Sequence, residues 1–139
     1  MDWPVTYRRK VRYSDTDAQA IVFNANYMRY FDDVVTDYFE AIGITPAEFT
    51  ASGHDIVLAH AEIDFLASAR IGDVIVTGAR VESIGTTSVR YRIETWRDGS
   101  SATVVRGLLV QVVVDAETFK KKPVPQFFIE AIERLQGPL

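Results

Sequence analysis

Asn24-Ala25-Asn26-Tyr27-Met28-Arg29-Tyr30-Phe31-Asp32-Asp33-Val34-Val35-Thr36-Asp37-Tyr38-Phe39-Glu40-Ala41-Ile42-Gly43 is the stretch from which the rest of the chain can be read. Tyr27, Tyr30, Phe31, Val34, Tyr38 and Ile42 recur at the spacing of one helix face, while Arg29, Asp33, Thr36, Asp37 and Glu40 fall off it. The pattern predicts a helix over about 24–42, with Asn24 as N-cap and Gly43 at the left-handed position that ends helices. Met28, Val35 and Phe39 widen the apolar surface beyond a narrow stripe. Something large must therefore cover it, and a curved sheet would serve.

Strand signals surround this helix. Residues 5–13 interleave β-branched and aromatic side chains with Arg8, Arg9, Lys10 and Arg12, as a strand with one wet side does. Beyond a loop containing Pro46 and Gly53, residues 88–96 alternate cleanly, which turns Val89, Tyr91 and Ile93 inward. Asp98-Gly99 marks a hairpin, and Gly72-Asp73 and Gly85-Thr86 mark two further strand boundaries. The run 108–114 is apolar at nearly every position, so it is expected to be a central strand covered on both sides, by the helix and by a neighbouring subunit. A final short helix follows Pro125, with Phe128, Ile129, Ile132 and Leu135 at helical spacing. Strand, long helix, four strands in hairpin-like succession and a terminal helix make an α+β chain, read as one domain over 1–139.

Composition narrows the partners. A net charge of −4 with no basic stripe argues against nucleic acid, and Lys120-Lys121-Lys122 reads as a solvated turn. There is no cysteine, which excludes disulfides, thiolate nucleophiles and cysteine-ligated metals. His54 and His60 form no metal-binding pattern with neighbouring acids, so no metal and no cofactor are expected. No apolar run approaches the roughly 18 residues that span a bilayer, and no export signal is visible, so a cytoplasmic, non-membrane protein is expected.

The chemistry lies just upstream of the helix. Tyr13-Ser14-Asp15-Thr16-Asp17 is a turn rich in carboxylates that runs directly to the helix start. There, unpaired N–H groups and the positive end of the helix dipole can polarise a carbonyl while a nearby Asp attacks it or activates water. A thiol leaves readily, so a thioester needs no Ser-His-Asp triad.

These residues carry a family resemblance. Tyr13-Ser14-Asp15-Thr16-Asp17, Val22-Phe23-Asn24-Ala25-Asn26-Tyr27 and Tyr30-Phe31-Asp32 resemble the signature of hotdog-fold acyl-CoA thioesterases of the 4-hydroxybenzoyl-CoA thioesterase type. The segments 61–65, 69–73 and 85–88 resemble the family's later strands in order and spacing, so the likeness covers most of residues 5–115. The resemblance implies a five- or six-stranded antiparallel sheet wrapped around the long helix, an acyl-CoA substrate, a homodimer or tetramer, and sites at the subunit interface. Asp17 would be the catalytic carboxylate and the helix start at Asn24 the carbonyl-polarising element. Two positions depart from the family pattern: Ala20 stands where Gly is usual, and Val35 where Arg is frequent.

Around that pair, Phe23, Tyr27, Phe31 and His60 are candidates for the acyl pocket, Asp32 for a polar acyl group or a cation across the interface, and Arg70 for the CoA phosphates, with Arg90 and Arg92 as further cations. Three other readings stay open at this stage. They are a thioesterase for acyl carrier protein, a dehydratase using His54-Asp55, and a non-catalytic acyl-CoA binding module.

Overall fold

The computed structural model describes residues 2–139. Strand β1 (Val5–Lys10) leads through a 3₁₀ turn (Tyr13–Asp15) to helix α1 (Asn26–Ala41), followed by a short α2 (Pro46–Ala51). Strands β2 (His54–Phe65), β3 (Val74–Ile84), β4 (Ser88–Arg97) and β5 (Thr103–Asp115) follow, and α3 (Gln126–Gln136) closes the chain. The five strands form one antiparallel sheet in the order β1-β3-β4-β5-β2.

The helix buries Tyr27, Tyr30, Phe31, Val34, Val35 and Tyr38, the face that its periodicity marks. They meet Ile75, Ala79 and Val81 of β3, Tyr91 and Ile93 of β4, and Leu109 and Val113 of β5 in one core. Val35 is part of it, so this position makes an apolar core contact. Phe31 sits so close to β5 that a Cβ on Gly107 would lie 2.1 Å from its Cε2. Glycine is needed there for space, not for conformational freedom.

The far end of the sheet is closed by α3. β1 runs out of partners at Ala79, and the next outward-facing backbone groups of β3 belong to Val81. The Gln136 side chain meets both: its Oε1 accepts from Val81 N at 3.0 Å, and its Nε2 donates to Val81 O at 2.7 Å. The same Oε1 accepts from the buried Tyr38 hydroxyl at 2.6 Å. One amide therefore substitutes for a missing strand and ties α3 to α1.

Four expectations need correction. Asn24 is not the N-cap: Ala25 holds that position in helical φ/ψ, and no side chain caps the helix. The chain enters through successive turns instead, with Asn26 N bonding Phe23 O and Tyr27 N bonding Asn24 O. The four later strands are not a simple hairpin succession, because β2 crosses to the far edge and pairs with β5 while only β3-β4-β5 is a meander. Strand β5 is accordingly interior but not central, and its outward residues Leu108, Val110 and Val112 stay half-buried with no second cover in this chain. The loop after α1 contains a helix, α2, whose start was legible as Thr45-Pro46-Ala47-Glu48: Thr45 Oγ1 accepts from Glu48 N at 3.1 Å.

Strand β2 is the exposed edge. Val57, Leu58 and Phe65, with Leu66 just beyond, are between 38% and 52% exposed. A 12-residue edge strand with apolar side chains in water leaves a row of backbone N–H and C=O groups unpaired.

Candidate active site

Asp15 is the fixed point from which the site is built. It is 1% exposed. Its Oδ1 accepts from Arg9 Nη2 at 2.8 Å, and its Oδ2 from Arg9 Nε at 3.1 Å and Arg12 N at 2.8 Å. Burial works against the ionised form. The Arg9 fork and the Arg12 N–H outweigh it and hold the carboxyl below its ordinary range. Tyr30, whose ring lies 5.4 Å from the Arg9 guanidinium carbon, is held protonated by burial and by the adjacent Asp15 carboxylate.

The Asp15 backbone reaches the other way. Its carbonyl accepts from Phe23 N at 2.9 Å and from the Asn26 side-chain Nδ2 at 2.8 Å. Between these anchors the chain makes a tight loop, in which Asp17 N bonds Ile21 O at 3.0 Å and Ala20 N bonds Asp17 O at 3.0 Å. Ala20 takes φ = 61°, the left-handed conformation that explains why glycine is usual here. An L residue holds it at a cost of about 1 kcal/mol. The loop is docked onto the connection between β2 and β3 by Val22 N to Ala69 O at 2.9 Å and by an Ile21–Arg70 bridge.

Asp17 lies partly exposed on this loop. Its Oδ1 accepts from Gln19 N at 2.8 Å, which orients the carboxylate, and among the described residues no donor engages Oδ2. At the start of α1 the N–H groups of Asn24 and Ala25 have no hydrogen-bond partner among the described residues. They are exposed donors at the positive end of a 16-residue helix. A cleft of about 230 Å³ opens beside them, lined by Ile21, Val22, Asn24, Tyr27, Phe65, Leu66, Ala67 and Ser68. Tyr27 and Phe65 meet edge to face at 5.9 Å in its wall, and burial pushes the Tyr27 phenol up to about 12.

The structure thus brings Asn24 and Tyr27 to one cleft, with Asp17 paired across its loop to Ile21 on the cleft wall. Phe23 is half exposed at the rim, and Arg70 is exposed beside Ile21. Phe31 is wholly buried against Gly107, one layer behind the cleft. Asp32 is exposed on α1 and does not line the cleft. Partial desolvation, then the Asp33 charge, holds its carboxyl above the usual range. His60 does not join the cleft within one chain. It lies on the outer sheet face, with Nε2 3.1 Å from Glu62 Oε1. Arg90 and Arg92 are on that face too, both engaged by Glu82 at 3.2 Å.

Sequence reasoning missed Arg9, Asn26 and the residues 66–68. Arg9 had a signal: it shares strand parity with Val5 and Tyr7, so it points to the helix side, where a guanidinium needs a buried acid. Residues 66–68 had none, since their place is set by Leu66 N and Ala67 N bonding Val104 O and by Arg97 Nη1 bonding Ser68 O at 2.6 Å.

A long helix cradled by a five-stranded antiparallel sheet defines the class of protein by its architecture, the hotdog fold. Comparison with known proteins agrees. The model of the thioesterase-like superfamily matches residues 11–132. A 1,4-dihydroxy-2-naphthoyl-CoA hydrolase from Nostoc punctiforme is 26% identical over 92% of this chain and 86% of its own. The crystal structure of a thioesterase from Thermus thermophilus, complexed with coenzyme A and Zn, is 30% identical, covers 99% of this chain and 98% of its own, and superposes with a TM-score of 0.84. A 1,4-dihydroxy-2-naphthoyl-CoA thioesterase from Synechocystis, 24% identical over 96% of this chain and 98% of its own, has the same fold with a TM-score of 0.86. The chain belongs to the thioesterase-like superfamily and is a thioesterase.

Proposed function

We propose that the chain hydrolyses an aromatic acyl-CoA, with Asp17 as the reacting carboxylate and the Asn24 and Ala25 N–H groups as the donors to the carbonyl oxygen. The observation that carries this reading is the pairing of a carboxylate loop with unpaired amide donors at one end of α1, beside a cleft walled by Tyr27 and Phe65. The carbonyl oxygen, more negative in the tetrahedral intermediate than in the substrate, gains most from donors fixed in place before the reaction. Net, a water O–H and the acyl C–S bond break, a C–O bond forms, and the thiolate leaves and takes the proton. Asp17 acts either by attacking the carbonyl carbon, giving an anhydride that water then opens, or by taking the proton from an attacking water.

For the acyl group, a flat ring system suits the two aromatic walls, and the names of two relatives point to 1,4-dihydroxy-2-naphthoyl-CoA as the first compound to try. We assign the CoA phosphates to Arg70, which is exposed beside Ile21. For assembly, β2 is the edge on which a second copy pairs. Phe65, at the end of that strand, lines the cleft, so the partner would border the site.

The test is thiol release from a panel of aromatic and aliphatic acyl-CoAs by the wild type and by folded Asp17→Asn. Turnover that falls by about 10³-fold or more in the variant is the expected result. Repeated turnover in ¹⁸O water then separates the two routes, since only direct attack places label in the Asp17 side chain. Binding of acyl-CoA without turnover anywhere in the panel would overturn the reading in favour of a binding module.

A further inference from the structure

We infer that Arg9 and Asn26 are positioning residues for the thioesterase reaction, acting through Asp15 to hold the Asp17 loop in register with the amide donors at the start of α1. The inference rests on the reading of Asp17 given under Proposed function.

Among the described residues Asp15 is the junction that touches both arms of the loop and both flanking elements. Its carboxylate is gripped by Arg9, which belongs to β1 and is fixed by the β1–β3 ladder opposite Ile75. Its carbonyl receives the Phe23 N–H and the Asn26 side chain, one residue before and two residues after Asn24. The six residues that carry Asp17 to Val22 thus hang between a clamp on the sheet and a clamp on the helix. From Asp17 to Ala20 only short-range bonds act, the contacts to Ala69 and Arg70 beginning at Ile21 and Val22, and Ala20 sits in a conformation that L residues resist. A loop with an internal preference to relax needs anchors outside itself. Asn26 is the first residue of α1, and its amide is spent entirely outside the helix, on Asp15, while Ala25 occupies the cap. That use of an amide side chain fixes the loop and the helix start relative to each other, which is the distance a carbonyl caught between carboxylate and N–H groups depends on. A misplacement of about 1 Å in such a pair costs on the order of 100-fold in rate.

The acidic face of α1 and the salt-bridged outer face of the sheet do not touch this geometry. Neither Arg9 nor Asn26 lines the cleft, so loss of either leaves the acyl-binding walls in place.

The experiment measures kcat and KM for Asn26→Ala, Arg9→Lys and Arg9→Ala, alongside wild type and Asp17→Asn, with the substrate of fastest wild-type turnover. Folding is followed by near-UV circular dichroism and Tm. Asn26→Ala keeps a strong helix former in the first turn, so α1 survives it. The expected result is a fall in kcat of about 10- to 100-fold at little-changed KM for Asn26→Ala, a smaller fall for Arg9→Lys, and partial recovery of Arg9→Ala by millimolar guanidinium, because Arg9 is partly open to solvent. A merely structural role would lower kcat only in step with the folded fraction and would give no guanidinium recovery. If Arg9→Ala does not fold, Asn26→Ala and Arg9→Lys decide the matter. Wild-type kcat in both of these, with turnover abolished in Asp17→Asn, would overturn the positioning role alone. No turnover by the wild type would remove the catalytic reading and the positioning role with it.

Discussion

Gly107→Ala tests the packing that sets the position of α1. The added Cβ would stand 2.1 Å from Phe31 Cε2, 2.7 Å from Cζ and 3.2 Å from the Glu62 carbonyl oxygen. Ordinary contact needs well over 1 Å more than the first of these distances. The strand cannot retreat, because β5 is hydrogen-bonded to β4 through Ile93 and to β2 through Ile63 at that level. The ring cannot swing to solvent either, since Phe31 is 0% exposed. Overpacking of this kind costs about 1–3 kcal/mol, and forcing the ring off its rotamer adds about 1 kcal/mol. Against this, Ala restricts the unfolded chain and recovers about 0.5 kcal/mol. The net expectation is a loss of about 1.5–3.5 kcal/mol, or roughly 5–12 °C in Tm for a chain of this size. Thermal melts followed by circular dichroism read it, and Gly107→Ala with Phe31→Leu should recover part of the loss because the smaller side chain makes room. A Tm within a degree or so of wild type would refute the reasoning. It would mean that α1 yields freely and that its distance from the sheet is not fixed at Gly107.

Gln136→Leu keeps the bulk but leaves Val81 N–H, Val81 C=O and the Tyr38 hydroxyl without their partner, for a loss of about 3 kcal/mol measured as a shift in urea midpoint. Amide exchange should quicken along α3 in that variant before the sheet is affected. For Asp15, the folded carboxyl titrates below the ordinary value of 3.8, so its contribution is complete above that value and is lost as pH falls through the lower folded one. Urea midpoints taken from about pH 6 down to about pH 2 should therefore drop steeply at the acid end, and Arg9→Lys should flatten that drop; equal slopes in the two proteins would contradict the ion pair.

How much of this was written in the chain can be judged residue by residue. The helix face from Tyr27 to Tyr38 was legible because a helix repeats its contacts every few residues, and the inward Val89, Tyr91 and Ile93 because a strand alternates. The loop before α1 was legible too, as a carboxylate turn next to a helix start, whereas the positive φ of Ala20 is a finding of the structure. These are local properties, fixed by backbone sterics and side-chain spacing within about a dozen residues. What the sequence did not contain was the pairing of β2 with β5 across the sheet, since hydrophobic alternation marks a strand but not its neighbour. The crossing of β2 placed Phe65 against Tyr27 and moved His60 to the outer face; the same topology left β2 as an open edge. Asn24 does not supply the expected cap because Ala25, already in helical φ/ψ, holds that position, and the Asn26 side chain meets the Asp15 carbonyl. Periodicity determined the elements and the acid beside the helix. Only the assembled sheet decided which residues share the cleft, because contacts between segments far apart in sequence depend on strand order and register rather than on any short pattern.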